Sequence, residues 1–579
     1  MGLRICLVTP FAWSQPHEVN DHVAGAAAGL RRLGHDVTVI APSTRAGDLL
    51  AGRRAIARGE RPEVIAVGPA IPVSRRSQLG VPVGIRANLL GALRQGEYDV
   101  VHGFEPGLPS LSYAALQGAE TFTAATFLSP DRLDYPARKS RRDRLRARVD
   151  ALLATSEATA AAAAGRFPGD YRIVPAGVDL DRFAPAAKRE LIAVQLETTG
   201  RAVVRAAIRA LDELPGWELV ALYTKPLSFR PAVPGRFAGR VQVRAARREE
   251  VRAAALAEAA VFVPAADGHA RMRLEAAAAG CAIAEPPDAE RQPELVSAAV
   301  ARLGSDAVHR GREAERVRHE AESQSFDRLA HALDDVYGEL TRKRRPARRD
   351  ADPLADRDWI AVDLHMHTSW SHDCSIEVAE LLDHAERIGL GGIAVTDHNV
   401  FGGAREAVEL ARRRDLVVIA GEEVKTDGQG EVIGLFLSEE IPRGMSFADT
   451  IAAIREQGGV VYLPHPFDRM HAIPDPATLH RHLADVDVLE VYNARLLRES
   501  FNHEALRFAR KYRLLQGAGS DAHVLQGVGT GALRMRRFDS AEEFLLSLRT
   551  AEVLRRPKSL AYLQSLKWVA QAKESLGSR

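Results

Sequence analysis

Cysteine is scarce in this 579-residue chain, with only Cys6, Cys281 and Cys374. Three thiols cannot build a disulfide framework, and they fit a reducing compartment. Excess charge is also missing. Lys and Arg number 78 against 76 Asp and Glu, a net +2, which argues against a dedicated nucleic-acid binder. No apolar run reaches the length of a membrane span, and the N-terminus enters a strand pattern without a basic region and signal core. A cytoplasmic location is expected. There is no short internal repeat, and alanine-rich stretches such as Ala160 to Ala164 are helix formers. At 46% apolar residues the chain has ample length for three compact units.

What is present is a series of hard-metal ligands between Asp363 and His523. The pieces are Asp363-Leu-His365-Met-His367-Thr, Asp373, Thr396-Asp-His398-Asn, Gly421-Glu422-Glu423, Pro464-His465-Pro and Gly519-Ser-Asp521-Ala-His523. Apolar runs such as Gly392 to Val395, Leu416 to Ala420 and Gly459 to Leu463 read as buried parallel strands, each followed by a ligand-type residue. A barrel of β/α units presents side chains in this way at the C-terminal mouth of its strands. Imidazole and carboxylate without thiolate suit Mn, Fe or Zn in a hydrolytic site. In His365-x-His367 alternate strand residues point the same way, so both rings reach one ion. The whole set oversupplies one ion. Two or three clustered divalent ions are expected, able to activate water and to clamp the oxygens of a phosphoryl group.

In this order the motifs resemble the PHP family, the polymerase and histidinol phosphatase domain, over about Trp359 to Phe538. The resemblance implies a distorted (β/α)7 barrel that hydrolyses phosphoesters at a two- or three-metal centre. By motif, His365, His367, Glu423 and Asp521 would hold one ion. Glu423 would bridge to a second held by His465, and Asp373, His398 and His523 would hold a third. His398 or His523 would act on the leaving group.

Several positions stay open. Glu422 and Glu423 are adjacent, and Glu423 is preferred because the family's ligand stands two residues after the glycine. Glu431 is either an oxygen ligand replacing a histidine of many members or a solvent-facing carboxylate at a strand start. Asn493 lies near a strand end and is a candidate site-lining residue. Arg469 and Arg495 lie just beyond ligand-bearing strands and are candidate phosphate clamps, since a guanidinium matches phosphate oxygens in a fork.

The first half differs. Leu3 to Phe11, a helical pattern over Val19 to Leu33, and Gly34 to Pro42 open a doubly wound α/β domain, continued by Tyr98 to His102. A second α/β region begins near Leu191, with strands near Trp217 to Tyr223 and Ala260 to Pro264. Asp99-Val-Val-His-Gly-Phe-Glu105-Pro106, Val174 to Phe183 and Leu274 to Gly280 resemble the family-4 glycosyltransferases of two-lobed GT-B fold. Among these they are most similar to actinobacterial mannosyltransferases acting on phosphatidylinositol. That implies a sugar-nucleotide ligand in the cleft between two Rossmann-like lobes. The family's functional residues are mostly replaced. The early glycine pair becomes part of Gln15-Pro-His17-Glu18-Val, the catalytic histidine becomes Leu128, and the diphosphate grip becomes Val194 to Gly200 without its lysine. Of the paired carboxylates, Glu275 remains, with Asp267 as its partner. Losing the arginine and the lysine of the family's diphosphate grip removes most of the charge that would offset a diphosphate, so an inactive module is expected.

The α/β chain therefore reads as lobes over 1–185 and 186–341, a basic linker over 342–358, and a PHP domain over 359–579. Ser325 to Leu340 reads as a helix that packs back on the first lobe. The basic run Thr341 to Arg349 reads as a solvated spacer in preference to a nucleic-acid or anionic-membrane contact. Ser540 to about Leu576 reads as two helices, the second with Leu560, Leu563, Leu566 and Val569 at helical spacing. The preferred function is a metal-dependent phosphoesterase acting on a small phosphorylated substrate. The alternatives are an active transferase with an accessory phosphatase, a PHP nuclease regulated by the first half, and lobes that act as a sensor or docking module.

Overall fold

The computed structural model describes residues 2–70, 86–196, 201–224, 227, 231–265, 270–286, 292–345, 352–470 and 472–556. The chain forms two compact units, Met1–Arg342 and Lys343–Arg579. No helix among the described residues is long and apolar enough to cross a membrane.

The first unit has two parallel sheets. Strands β1 (Arg4–Val8), β2 (Asp36–Ser43), β3 (Val64–Pro69), β4 (Val100–Phe104), β5 (Phe122–Phe127), β6 (Ala151–Ala154) and β7 (Tyr171–Ile173) lie in the order β3-β2-β1-β4-β5-β6-β7. Strands β8 (Arg189–Gln195), β9 (Glu218–Tyr223), β10 (Val241–Ala245), β11 (Ala259–Val263) and β12 (Ala282–Ile283) lie in the order β10-β9-β8-β11-β12. Both orders reverse direction next to the first strand of their lobe, which is the doubly wound pattern of a Rossmann-like lobe. The helix Phe326–Thr341 returns to the helix Glu18–Arg32 of the first lobe. Close approach is possible because Gly25 and Gly29 face it; a β-carbon on Gly25 would come within 2.3 Å of the Phe326 ring.

The second unit has one sheet of nine strands: β13 (Trp359–Met366), β14 (Gly392–Val395), β15 (Val417–Lys425), β16 (Glu431–Leu435), β17 (Val460–Leu463), β18 (Val488–Asn493), β19 (Leu515–Gly519), β20 (Gly531–Arg536) and β21 (Glu552–Arg555). Strands β13 to β19 follow one another around a ring. It closes where Asp521 N–H donates to His365 O (2.8 Å) and His367 N–H to Ala522 O (3.1 Å). The distortion in this (β/α)7 barrel is β16, which runs antiparallel to both neighbours. Val362, Leu364, Ile419, Leu435, Tyr462 and Leu533 are among the buried side chains of its core.

Two expectations change. Where two helices were expected after Ser540, the helix Ala541–Ser547 is followed by β21, which pairs with β20 and extends the sheet beyond β13. The second expected helix, with Leu560, lies outside the described residues. Part of the basic run is bound, not solvated. Arg344 Nε donates to Lys511 O at 2.8 Å, and Arg345 donates to Leu483 O and Val486 O. Carbonyls at and just beyond helix ends lack intrahelical donors, and guanidinium groups supply them.

Candidate functional site

Ligand-type side chains gather at one end of the barrel. His365 is near the end of β13 and His367 just past it. His398 follows β14, Glu423 lies in β15, His465 follows β17, and Asp521 and His523 follow β19. Because β16 is reversed, its first residue, Glu431, stands at this same end, opposite Lys425.

Glu423 is the hub. Its Oε2 lies 3.3 Å from His365 Nε2, 3.5 Å from His367 Nε2 and 3.1 Å from His398 Nδ1, and its Oε1 lies 3.1 Å from His465 Nε2. Asp521 Oδ1 is 3.5 Å from His367 Nε2 and 4.0 Å from His365 Nε2. Asp373 joins from another side, with Oδ2 3.0 Å from His523 Nε2 and Oδ1 3.9 Å from His398 Nε2. Glu431 Oε2 is 3.7 Å from His465 Nε2. Four overlapping groups have ligand atoms within 4.8 Å of one another: His367/His398/His523, His365/His367/Asp521, His365/Glu423/His465 and His398/Glu423/Glu431. His367 Nε2 is buried without a hydrogen-bond partner where Glu423 and Asp521 converge. A divalent cation fits this donor set, since imidazole nitrogen and carboxylate oxygen converge there from several strands.

A backing layer orients these rings. Glu490, not singled out in the sequence, has its Oε1 3.1 Å from His365 Nδ1 and accepts from Tyr462 OH, His465 N–H and Asn493 Nδ2. A carboxylate on Nδ1 turns the other nitrogen toward the cavity. Asp397 accepts from Thr368 N–H and from Ser371 Oγ, and Ser371 Oγ is 3.3 Å from His367 Nδ1. Asp363 accepts from Ser520 N–H and Gly529 N–H across the ring closure. Glu490 could have been read as a ligand-tuning acid from the strand that carries it, but one buried carboxylate in an apolar run has no unique sequence signature. The backbone is held in the left-handed region at Asn399, His465 and Asp521, with φ of 55°, 26° and 51°. Non-glycine residues keep such angles only where surrounding structure enforces them.

The remaining predicted residues divide. Glu422 is buried and accepts from Ile441 N–H, away from the cluster, so strand alternation selects Glu423. Arg495 borders the cavity, with Nη1 3.1 Å from Asp521 Oδ1 and 3.0 Å from His523 Nδ1. Asn493 is a correction. It is buried behind the site, with Nδ2 donating to Glu490 and Asp521, because the strand end turns it inward. Arg469 is exposed and does not line the cavity. The cavity, of about 280 Å³, is lined in addition by His372, Asn399 and Lys425, none of them singled out in the sequence.

Burial opposes charge on His398 and His465, yet the Glu423 carboxylate beside each raises both to about 9. Burial also opposes ionisation of Glu423, but the imidazoles of His365, His398 and His465 hold it well below the usual range. In the metal-free protein these imidazolium pairs are fully present below the ordinary value of 6.5 and are lost as pH rises through about 9. Metal must displace those protons. Apparent Mn²⁺ affinity is therefore expected to rise by up to about tenfold per pH unit for each proton released, from pH 7 to 9. Calorimetry in buffers of different ionisation enthalpy counts the protons; affinity independent of pH would contradict the assignment.

In the first unit, Glu275 is buried and already neutralised. Arg252 Nε and Nη2 donate to its two oxygens at 2.6 and 2.8 Å, and Arg271 Nε at 3.0 Å. Both arginines also reach the first lobe, Arg252 to Asp21 (3.3 Å) and Arg271 to Glu18 O (3.2 Å). The cavity there is about 90 Å³ and is lined by residues including His17, Glu18, Arg247, Arg252, Arg271 and Glu275. Asp267 lies outside the described residues, as does Glu197 to Gly200.

Family models match in three places: the PHP domain over residues 363–511, the PHP-associated segment over 499–553, and Glycosyltransferase Family 4 over 19–182. An uncharacterized protein of Methanocaldococcus jannaschii is 34% identical over 214 residues, 35% of this chain and 85% of that protein. The phosphatidyl-myo-inositol mannosyltransferase of Propionibacterium freudenreichii subsp. shermanii is 31% identical over 163 residues, 27% of this chain and 42% of its own length. The catalytic domain of starch synthase IV from Arabidopsis thaliana, bound to ADP and acarbose, aligns at a TM-score of 0.42 with 13% identity, covering 58% of this chain and 99% of that one. The chain thus belongs to the PHP family through its second unit, and part of its first unit matches the Glycosyltransferase Family 4 model.

Proposed function

We propose that the second unit is a metal-dependent phosphoesterase acting on a small phosphorylated substrate, and that the first unit does not transfer sugar. The convergence of His365, His367, His398 and His465 on Glu423 in a PHP domain carries the first statement. His365, His367, Glu423 and Asp521 would hold one ion, Glu423 and His465 with Glu431 a second, and Asp373, His398 and His523 a third. When bound, two or three divalent ions of the Mn, Fe or Zn kind would neutralise phosphoryl oxygens and acidify water.

The chain's own residues do the rest. Arg495 and Lys425 border the cavity and offer positive charge to phosphate oxygens. With only two ions bound, His523, held by Asp373, and His398, held by Glu423, would instead hold a proton for the leaving oxygen. Glu490 and Asp397 keep the ring layer in register from behind. The caging of Glu275 by two arginines supports the second statement, because a carboxylate committed to two guanidinium groups is not available to a sugar.

The test is phosphate release from nucleotides, sugar phosphates, inositol phosphates and short oligonucleotides with each metal. Turnover is expected on at least one class and is expected to disappear in the His365→Ala/His367→Ala protein. Metal-bound protein inactive on every class would overturn the proposal.

A further inference from the structure

The loop after β13 carries an aromatic group that the metal chemistry does not use. Trp370 is 50% exposed, yet its indole is fixed. Nε1 donates to Glu406 Oε2 at 2.8 Å. The six-membered ring lies on Gly402, where a β-carbon would come within 2.2 Å of a ring carbon. The pyrrole edge lies on Gly403, where a β-carbon would stand 3.0 Å from Cδ1. Two successive glycines and one carboxylate thus seat the ring on one side and leave much of its surface to solvent.

The position of this seat matters. Trp370 precedes the cavity-lining residues His372 and Asp373 on one loop, and Gly402 opens the helix that follows the cavity-lining Asn399. The indole therefore lies against the start of that helix, two residues along the chain from a residue of the cavity wall. Other large exposed apolar side chains stand on neighbouring mouth loops: Leu497 (70%), two residues after Arg495, and Met470 (68%), on the loop after His465. A nucleobase lays a whole planar face on an indole, whereas a sugar or inositol ring offers it only a patch of C–H groups between hydroxyls.

We propose that Trp370 is a stacking platform for the base of a mononucleotide whose phosphate enters the cavity, which makes nucleotides the substrate class. This inference rests on the phosphoesterase reading above. Trp370 is a specificity residue here and takes no part in the bond-breaking step.

The test uses the full metal-loaded chain, as wild type, Trp370→Ala and Trp370→Phe, with nucleoside monophosphates and with ribose 5-phosphate, which has the same phosphate but no base. Wild type is expected to favour the nucleotides. Trp370→Ala is expected to raise KM for nucleotides by about tenfold or more, with kcat and the ribose 5-phosphate rate little changed, and Trp370→Phe to keep most of the advantage. Equal handling of nucleotides and ribose 5-phosphate by wild type, or an unchanged nucleotide KM in Trp370→Ala, would overturn the proposal. Tryptophan fluorescence titrated with AMP reads the platform without turnover. Saturable quenching that Trp370→Phe abolishes is expected, and its absence counts against the platform. Quenching with no hydrolysis of any compound would leave the platform standing and sink the phosphoesterase reading instead.

Discussion

Glu423→Ala is expected to remove at least one bound divalent ion and to lower phosphate release by about 10³-fold, the rate equivalent of several kcal/mol of metal-derived stabilisation. No other carboxylate in the site lies within 3.5 Å of four imidazoles. Its loss also leaves His365, His398 and His465 without the charge that raises their proton affinity. The adjacent Glu422 is the control. Burial pushes it up to about 7, and it accepts from Ile441 N–H on the other face of β15. Glu422→Gln is expected to keep both metal and turnover. Metal analysis and initial rates on the two proteins decide the matter. Glu423→Ala with full metal content and full rate would show that the hub is structural only.

Glu275→Ala is expected to destabilise the first unit by about 3 kcal/mol or more while leaving phosphate release unchanged. Arg252 and Arg271 would lose the acceptor they share, and breaking one partner of a buried ion network leaves uncompensated charge inside. Both guanidinium groups also span the lobes, so the loss is expected to loosen the contact with Asp21 and Glu18. The double variant Arg252→Met/Glu275→Met should recover part of the loss, since apolar replacement of a whole buried pair is often nearly neutral. Denaturant unfolding followed by far-ultraviolet circular dichroism measures the shift. Calorimetric titration of the unaltered protein with nucleotide sugars is expected to give no heat of binding, because Glu275 is committed to Arg252 and Arg271. Tight binding would restore the transferase reading.

Much of the barrel was legible because its strands are short, apolar and each punctuated by a ligand. Gly392 to Val395 and Val460 to Leu463 are buried along their whole lengths, so local pattern and final environment agree. What local pattern cannot supply is direction. Nothing in Glu431 to Leu435 marks it as the reversed strand, and that reversal alone carries Glu431 to the cavity wall. The backing residues were hidden for a related reason. Glu490, Asp397 and Ser371 gain their roles from partners far along the chain, as when Glu490 meets His365. The same holds in the first unit. Arg252 reads as one more charge on an alanine-rich helix until Asp21 and Glu275 close on it. Asn493 shows the converse, a polar residue at a strand end that sequence position aims at the substrate and packing turns toward Asp521.

The most direct measurement is phosphate release by metal-stripped protein as Mn²⁺ is added back, compared with the His365→Ala/His367→Ala protein on the same nucleotide. The account predicts no release without metal, a rise that saturates at two or three ions per chain, and no recovery in the double variant. Release that persists in the double variant, or that ignores added metal, would contradict it.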